Sequence, residues 1–171
     1  MQDILDFTLY YNRYKKKLFN YALRMTGNRM ATEDILQIVF MRFYQNMGNI
    51  RHGVAIEFWL FKTIRNEIYT WFKSKKRLSE NYLSEDISEL SIEAEETADS
   101  QLIESEKKEI VLKAVNSLPP EQKEVILLKE FSGLSYDEIS EVCGIETGLV
   151  KSRLYSARQK LIVQLSHKIN R

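Results

Sequence analysis

Apolar residues recur at helical spacing along most of the chain, and the places where the pattern stops divide it into segments. Residues 9–25 alternate aromatic and aliphatic positions with a basic run, Lys15, Lys16 and Lys17, and Gly27-Asn28 interrupts them. Thr32 is the predicted N-cap of the next helix, with Glu33 and Asp34 in its first turn, where the helix dipole favours acids. That helix should run to about Met47, burying Leu36, Val39, Phe40, Phe43 and Met47. Residues 48–56 read as a loop, and a third helix should span about Glu57–Arg77, with Leu60, Ile64, Ile68 and Trp71 along its apolar side.

The period fades over SENYLSEDISELSIEAEETADSQ and returns at Glu104. Ser117-Leu-Pro-Pro ends one helix and starts another, because proline suits a first helical turn. Ser135-Tyr-Asp-Glu138 has the capping-box form, and Cys143-Gly-Ile145 reads as a tight turn before a helix beginning near Thr147. On that last helix Val150, Leu154, Ala157, Leu161 and Leu165 form a single narrow stripe. The predicted fold is all-α: two small helical domains, residues 1–78 and 107–171, joined by an acidic flexible linker at 79–106, the second domain a helix-turn-helix.

Charge sharpens this division. Of the 171 residues, 1–78 carry 14 Lys/Arg against 6 Asp/Glu, 79–106 carry 10 Asp/Glu and no Lys/Arg, and 107–171 carry 11 Lys/Arg against 8 Asp/Glu. Basic domains on either side of an acidic segment suit a polyanionic partner. A single cysteine, Cys143, excludes an internal disulfide and a cysteine metal cluster, and reads as a small packing residue. Neither histidine has metal-ligand spacing, and no nucleophile–base set or phosphate-binding glycine loop is apparent. Neither enzyme, metal nor cofactor is therefore expected. The start MQDILDF lacks the features of a signal peptide, and no apolar run approaches the ~20 residues that span a bilayer, so a cytoplasmic chain without membrane insertion is expected.

Three surfaces carry candidate chemistry. The last helix turns Lys151, Ser152, Tyr155, Ser156 and Gln159 away from its apolar stripe, flanked by Arg153, Arg158 and Lys160. After a short helix and a glycine turn, such a face suits the major groove. Lys151, Ser152 and Tyr155 would lie nearest the bases, with Arg153 and Arg158 at phosphates. A solvated face of a plain helical bundle would show the same pattern. On the third helix, Lys62, Arg65, Asn66, Tyr69, Lys73 and Lys76 gather opposite the apolar side, within a stretch holding six aromatics from Phe58 to Phe72. Cations for phosphates and ring faces for unstacked bases suit single-stranded DNA, although Phe61, Trp71 and Phe72 read better as core. On the second helix, Ile38 and Met41 stay outside the buried face among Asp34, Gln37 and Gln45, which marks either a docking strip for a partner helix or a helix buried on two sides.

Together these stretches resemble the extracytoplasmic-function group of the sigma-70 family over nearly the whole chain. Arg24-Met-Thr-Gly-Asn with Glu33-Asp-Ile-Leu-Gln-Ile-Val-Phe is similar to the segment that docks on the polymerase clamp. The resemblance implies that Asp34, Gln37, Ile38, Met41 and Arg42 meet the beta-prime coiled coil. Phe58-Trp-Leu-Phe-Lys-Thr-Ile-Arg-Asn resembles the melting and −10 segment, which implies that the loop 46–56 and Asn66 hold a flipped base. Leu118-Pro-Pro-Glu-Gln, Leu134-Ser-Tyr-Asp-Glu-Ile and Val150-Lys-Ser-Arg-Leu resemble the −35 recognition domain. The implied partners are core RNA polymerase, through its beta-prime clamp and beta flap, promoter DNA and an anti-sigma factor. Two departures stand out: Ser156 where many relatives carry Arg or Lys, and Thr70 where an aspartate is common. A repressor or activator reading operators alone would explain the helix-turn-helix but not the aromatic and basic third helix. A helical adaptor protein would explain only the strip on residues 33–47.

Overall fold

The structure is a computed structural model, which describes residues 1–50, 53–81 and 102–169. Every element among them is helical, and the chain divides into two compact units, Met1–Ile92 and Glu93–Arg171.

Unit 1 holds α1 (Gln2–Thr26), α2 (Arg29–Asn46), a 3-10 turn at Met47–Asn49, and α3 (Gly53–Asn81). The first helix starts a full seven residues before its apolar period, with Asp3 in the first turn. It ends at Gly27, whose φ of 63° lets its N–H return 2.8 Å to the Leu23 carbonyl. The cap of α2 is Asn28 and not Thr32: the Asn28 side chain accepts from the Ala31 N–H at 2.9 Å. Thr32 lies one turn inside the helix, fully buried, and donates its hydroxyl back to the Asn28 carbonyl at 2.8 Å. Its hydroxyl also sits 2.9 Å from that of Thr26, pinning the α1–α2 corner. The core is a mixture of aromatic and aliphatic residues, among them Tyr14, Leu18, Tyr21, Phe40, Phe43, Leu60, Phe61, Ile64 and Ile68. Ile35 takes the deep position expected of Leu36, and both Leu36 and Met47 are only half-buried, because the inward side of α2 runs through Thr32, Ile35, Val39 and Phe43.

The expected loop at 48–56 is also shorter. The 3-10 turn occupies 47–49, residues 51–52 lie outside the described residues, and α3 already begins at Gly53. At its other end α3 runs past Arg77 to Asn81. In unit 2, α4 (Leu102–Asn116) begins before Glu104. Helix therefore takes both ends of the expected linker, 79–81 and 102–106, and its remainder lies outside the described residues.

In unit 2, α4 is followed by α5 (Pro120–Ile126), a π-helical turn at Leu127–Phe131, α6 (Tyr136–Cys143) and α7 (Thr147–Ile169). Pro120 opens α5 as a first-turn proline. The π turn sends the Ser132 N–H to the Leu127 carbonyl at 3.0 Å, five residues back. Ser135 closes a full capping box: its Oγ accepts from the Glu138 N–H at 3.1 Å, and its own N–H donates to Glu138 Oε2 at 2.7 Å. Gly144, with φ 65°, ends α6. Ile139, Val142, Val150, Leu154 and Ala157 interlock in an aliphatic core with Leu127 and Leu128. Among the described residues no helix is long and apolar enough to cross a membrane, and no group of His, Cys, Asp or Glu could hold a metal ion.

Candidate nucleic-acid and polymerase interfaces

The outward side of α2 is set by what its inward side buries. Thr32, Ile35, Val39, Phe40 and Phe43 face the core, which leaves Asp34, Gln37, Met41 and Arg42 exposed and Ile38 half-buried. Met41 is 57% exposed, a large apolar side chain that this unit leaves mostly uncovered. The strip continues towards the start of the helix through Met30, which is 77% exposed and escaped the sequence reading. Its signal was available: Met30, Asp34 and Ile38 are spaced one turn apart. Beside the strip a groove of about 410 Å³ runs between α2 and α3, lined by Met30, Asp34, Ile38, Glu67 and Trp71 among others. Arg42, expected to reach a partner, is tied to Glu67 of α3 by a short ion pair. The pair spans 25 residues, and only the packing of α2 on α3 reveals it.

On α3, Leu60, Phe61, Ile64 and Ile68 are fully buried, as the period required. That seam turns Lys62, Asn66, Lys73 and Lys76 outward, with Arg65 and Tyr69 half-exposed among them. The Arg65 guanidinium lies 4.4 Å from the centre of the Tyr69 ring, and Tyr69 meets Phe72 edge-on at 6.3 Å. Lys62 lies 5.6 Å over Phe58. Cations and ring faces thus form one ladder along the helix. Phe61 is core as expected, whereas Trp71 and Phe72 are half-exposed. Trp71 belongs to the groove beside α2, with Lys75 5.1 Å over its ring. Thr70 satisfies its hydroxyl locally, on the Asn66 carbonyl at 2.9 Å.

In unit 2, the buried seam Val150, Leu154, Ala157 orients α7, while Leu161 and Leu165 at its far end are half-buried. Lys151, Ser152, Tyr155 and Gln159 project outward, Tyr155 with 66% of its surface exposed, and Ser156 is half-buried. The two arginines expected at phosphates are held by acids of their own unit. Arg153, its side chain only 20% exposed, lies 3.3 Å from Glu121 of α5. Arg158 donates at 2.7 Å to Glu130 of the π turn. That hydrogen bond, with a second to the Tyr136 hydroxyl, pushes the Arg158 guanidinium above the ordinary arginine range. Tyr136 gathers further cations, with Lys129 4.6 Å and Lys151 5.8 Å from its ring centre. Glu121 and Tyr136 stand within motifs that the sequence displays, but the contacts of Glu121, Glu130 and Tyr136 with α7 are not legible there, since each reaches α7 from another element.

Both halves of the chain match family models: residues 10–78 match sigma-70 region 2, and residues 108–161 match sigma-70 region 4. The extracytoplasmic-function RNA polymerase sigma factor SigW of Bacillus subtilis is 30% identical, the match covering 95% of this chain and 87% of that protein. The sigma-E factor of Haemophilus influenzae is 27% identical over 93% of this chain and 87% of its own length. SigE of Mycolicibacterium smegmatis is 29% identical over 87% of this chain, which spans only 57% of that longer relative. Among solved structures, the sigma factor RpoE of Bartonella quintana, in complex with the anti-sigma factor NepR, superimposes with a TM-score of 0.75. It is 26% identical, with 94% of this chain and 97% of that one covered.

Proposed function

The chain belongs to the extracytoplasmic-function group of the sigma-70 family, which directs promoter-specific transcription with core RNA polymerase, and we propose that its two units divide that work by the state of the DNA they meet. Unit 1 docks on core polymerase through Asp34, Gln37, Ile38, Met41 and the neighbouring Met30. It holds the melted −10 strand on Lys62, Arg65, Asn66, Tyr69, Lys73 and Lys76. Unit 2 places α7 in the major groove of the duplex −35 element, with Lys151, Ser152, Tyr155 and Gln159 towards the bases.

The observation that supports this division is the difference between the two outward faces. The α3 face interleaves ring planes with cations, Arg65 on Tyr69 and Lys62 over Phe58, which serves unstacked bases. The α7 face is polar and cationic on a capped helix-turn-helix, which serves intact base-pair edges. The polymerase supplies the chemistry of RNA synthesis in this reading, and the factor contributes binding and strand separation alone. It acts in the cytoplasm. An anti-sigma factor is a further partner of the same reading, as the Bartonella sigma factor forms such a complex.

The test is transcription in vitro with core polymerase on a promoter library. Selective initiation that depends on this chain is the expected result. Asn66→Ala should lower open-complex formation, read by permanganate reactivity, and a pre-melted −10 bubble should recover part of the loss. Equal permanganate reactivity of variant and parent on duplex templates would remove Asn66 from the melting role.

A further inference from the structure

A helix that grips a polyanion should keep acids at a distance, yet Glu130 sits 2.7 Å from Arg158 on the helix assigned to the duplex. The pair is not a buried strut. The two side chains are 43% and 50% exposed, and exposed pairs of this kind contribute little to stability. Arg153 differs: its side chain is mostly covered and lies 3.3 Å from Glu121 of α5. Arg158 keeps enough freedom to reach a phosphate, but a carboxylate already occupies it. The carboxylate is also delivered by a special piece of backbone, since Glu130 lies within the π-helical turn. Around them Lys129 and Lys151 approach the same Tyr136 ring, so Glu130 pairs with Arg158 beside two further cations.

We propose that Glu130 is an internal competitor for DNA phosphate, which holds Arg158 in check and lowers the grip of unit 2 on duplex of any sequence. The proposal rests on the reading of α7 as the duplex-facing helix. A phosphate contact carries no sequence information, so the competitor weakens all duplexes alike and leaves base discrimination to Lys151, Ser152 and Tyr155. A factor built this way spends less of its time on non-promoter DNA.

The experiment uses the full chain and two short duplexes, one of mixed sequence and one carrying a −35 sequence selected by this chain, on which Lys151→Ala is scored, with anisotropy titrations at several salt concentrations. Four variants are compared with the parent: Glu130→Gln, Arg158→Ala, the two combined, and Lys151→Ala. Glu130→Gln should tighten binding about two- to five-fold at low salt, the strength at which an exposed carboxylate holds a guanidinium. It should also steepen the dependence of log K on log salt by about 0.9, the counterion release of one added phosphate contact. Arg158→Ala alone should change little, and in the combined variant it should erase the gain. Unchanged or weaker binding by Glu130→Gln, with Lys151→Ala still weakening the complex, overturns the proposal and makes Glu130 a structural tie. If Lys151→Ala leaves binding unaltered as well, the placement of α7 on duplex DNA fails, and the proposal falls with it.

Discussion

In the proposed reading the two units solve the same physical problem, a helix held rigidly with one face to nucleic acid, using different materials. Unit 1 is built from long helices, α1 of 25 residues and α3 of 29, around a core that includes Tyr14, Tyr21, Phe40, Phe43 and Phe61. Unit 2 sets short pieces, α5 of 7 residues and α6 of 8, between α4 of 15 and α7 of 23, and among its described residues every buried hydrophobic side chain is aliphatic or the Cys143 thiol. Its aromatics Phe131, Tyr136 and Tyr155 all retain exposed surface. In unit 1 aromatics therefore serve both packing and the outward ladder, so the core continues into the outward face of α3. In unit 2 the two roles are separate. Caps and a glycine turn fix the angle of α7, a thin aliphatic seam fixes its rotation, and the outward face is polar. An unstacked base needs a ring to replace its lost neighbours, whereas a paired base in a groove needs directional donors and acceptors.

The sharpest way to break this comparison is to attack the cores. Phe43 is fully buried and lies 5.9 Å from the Trp59 ring, so Phe43→Ala should destabilise unit 1 by about 3–5 kcal/mol. Both tryptophans, Trp59 and Trp71, are in unit 1, and their fluorescence reports that unit alone. The fluorescence transition in urea should move to lower denaturant, whereas Leu154→Ala, costing about 2–5 kcal/mol in unit 2, should leave it in place. A shift of the tryptophan transition by Leu154→Ala would mean that the units do not fold independently.

Next in size is the docking strip. Ile38→Glu with Met41→Glu should cost about 2–4 kcal/mol in affinity for core polymerase, as expected of two apolar anchors. The circular dichroism spectrum should stay native, since both side chains keep contact with solvent. Undiminished affinity in a folded variant would move the polymerase interface elsewhere on unit 1.

Lys151→Ala probes the polar face of unit 2. Loss of a base contact should cost about 1–3 kcal/mol at one promoter position, and a selection from randomised −35 sequences should return an altered motif. An intact motif would mean that α7 enters the groove in a different rotation. The smallest effect is expected from Ser156→Arg, which adds a cation one turn beyond Ser152. Binding should tighten by a few-fold and the salt slope should steepen by about 0.9, provided that the new side chain reaches a phosphate.

How far these features could be read from the sequence depended on their range. The capping box at Ser135, the first half of the α7 seam from Val150 to Ala157, and Leu60, Ile64 and Ile68 on α3 are local and periodic, and each stands where the pattern placed it; Leu161, Leu165 and Trp71, at the far ends of those stripes, are only half-buried. The caps of α1 and α2 were harder, because Gly27, Asn28 and Thr32 all suit a helix end and only packing shows that Thr32 is buried. In the early turns of α1, Ile4 and Leu5 face solvent, and the one inward ring, Phe7, finds its partners Phe40 and Phe43 on α2, so no local stripe marks the start of the helix. Contacts across elements were out of reach altogether. Arg42 with Glu67 and Arg158 with Glu130 are 25 and 28 residues apart, and nothing in the intervening sequence announces them.

The π-helical turn at Leu127–Phe131 bears on how this chain could change its length. Such a turn is an α-helix carrying one surplus residue. Deleting a residue there would let the ladder relax to ordinary helix, so the loss is tolerable to the backbone. The side chains on either side of the deletion would nonetheless rotate by about 100° relative to one another, the angle of one helical step. Glu130 would then point away from Arg158, and the Leu134 N–H would lose its present reach to the Leu128 carbonyl at 3.0 Å. Under the proposed role of Glu130, deleting the Phe131 codon would therefore adjust DNA affinity by register, without altering any charged residue.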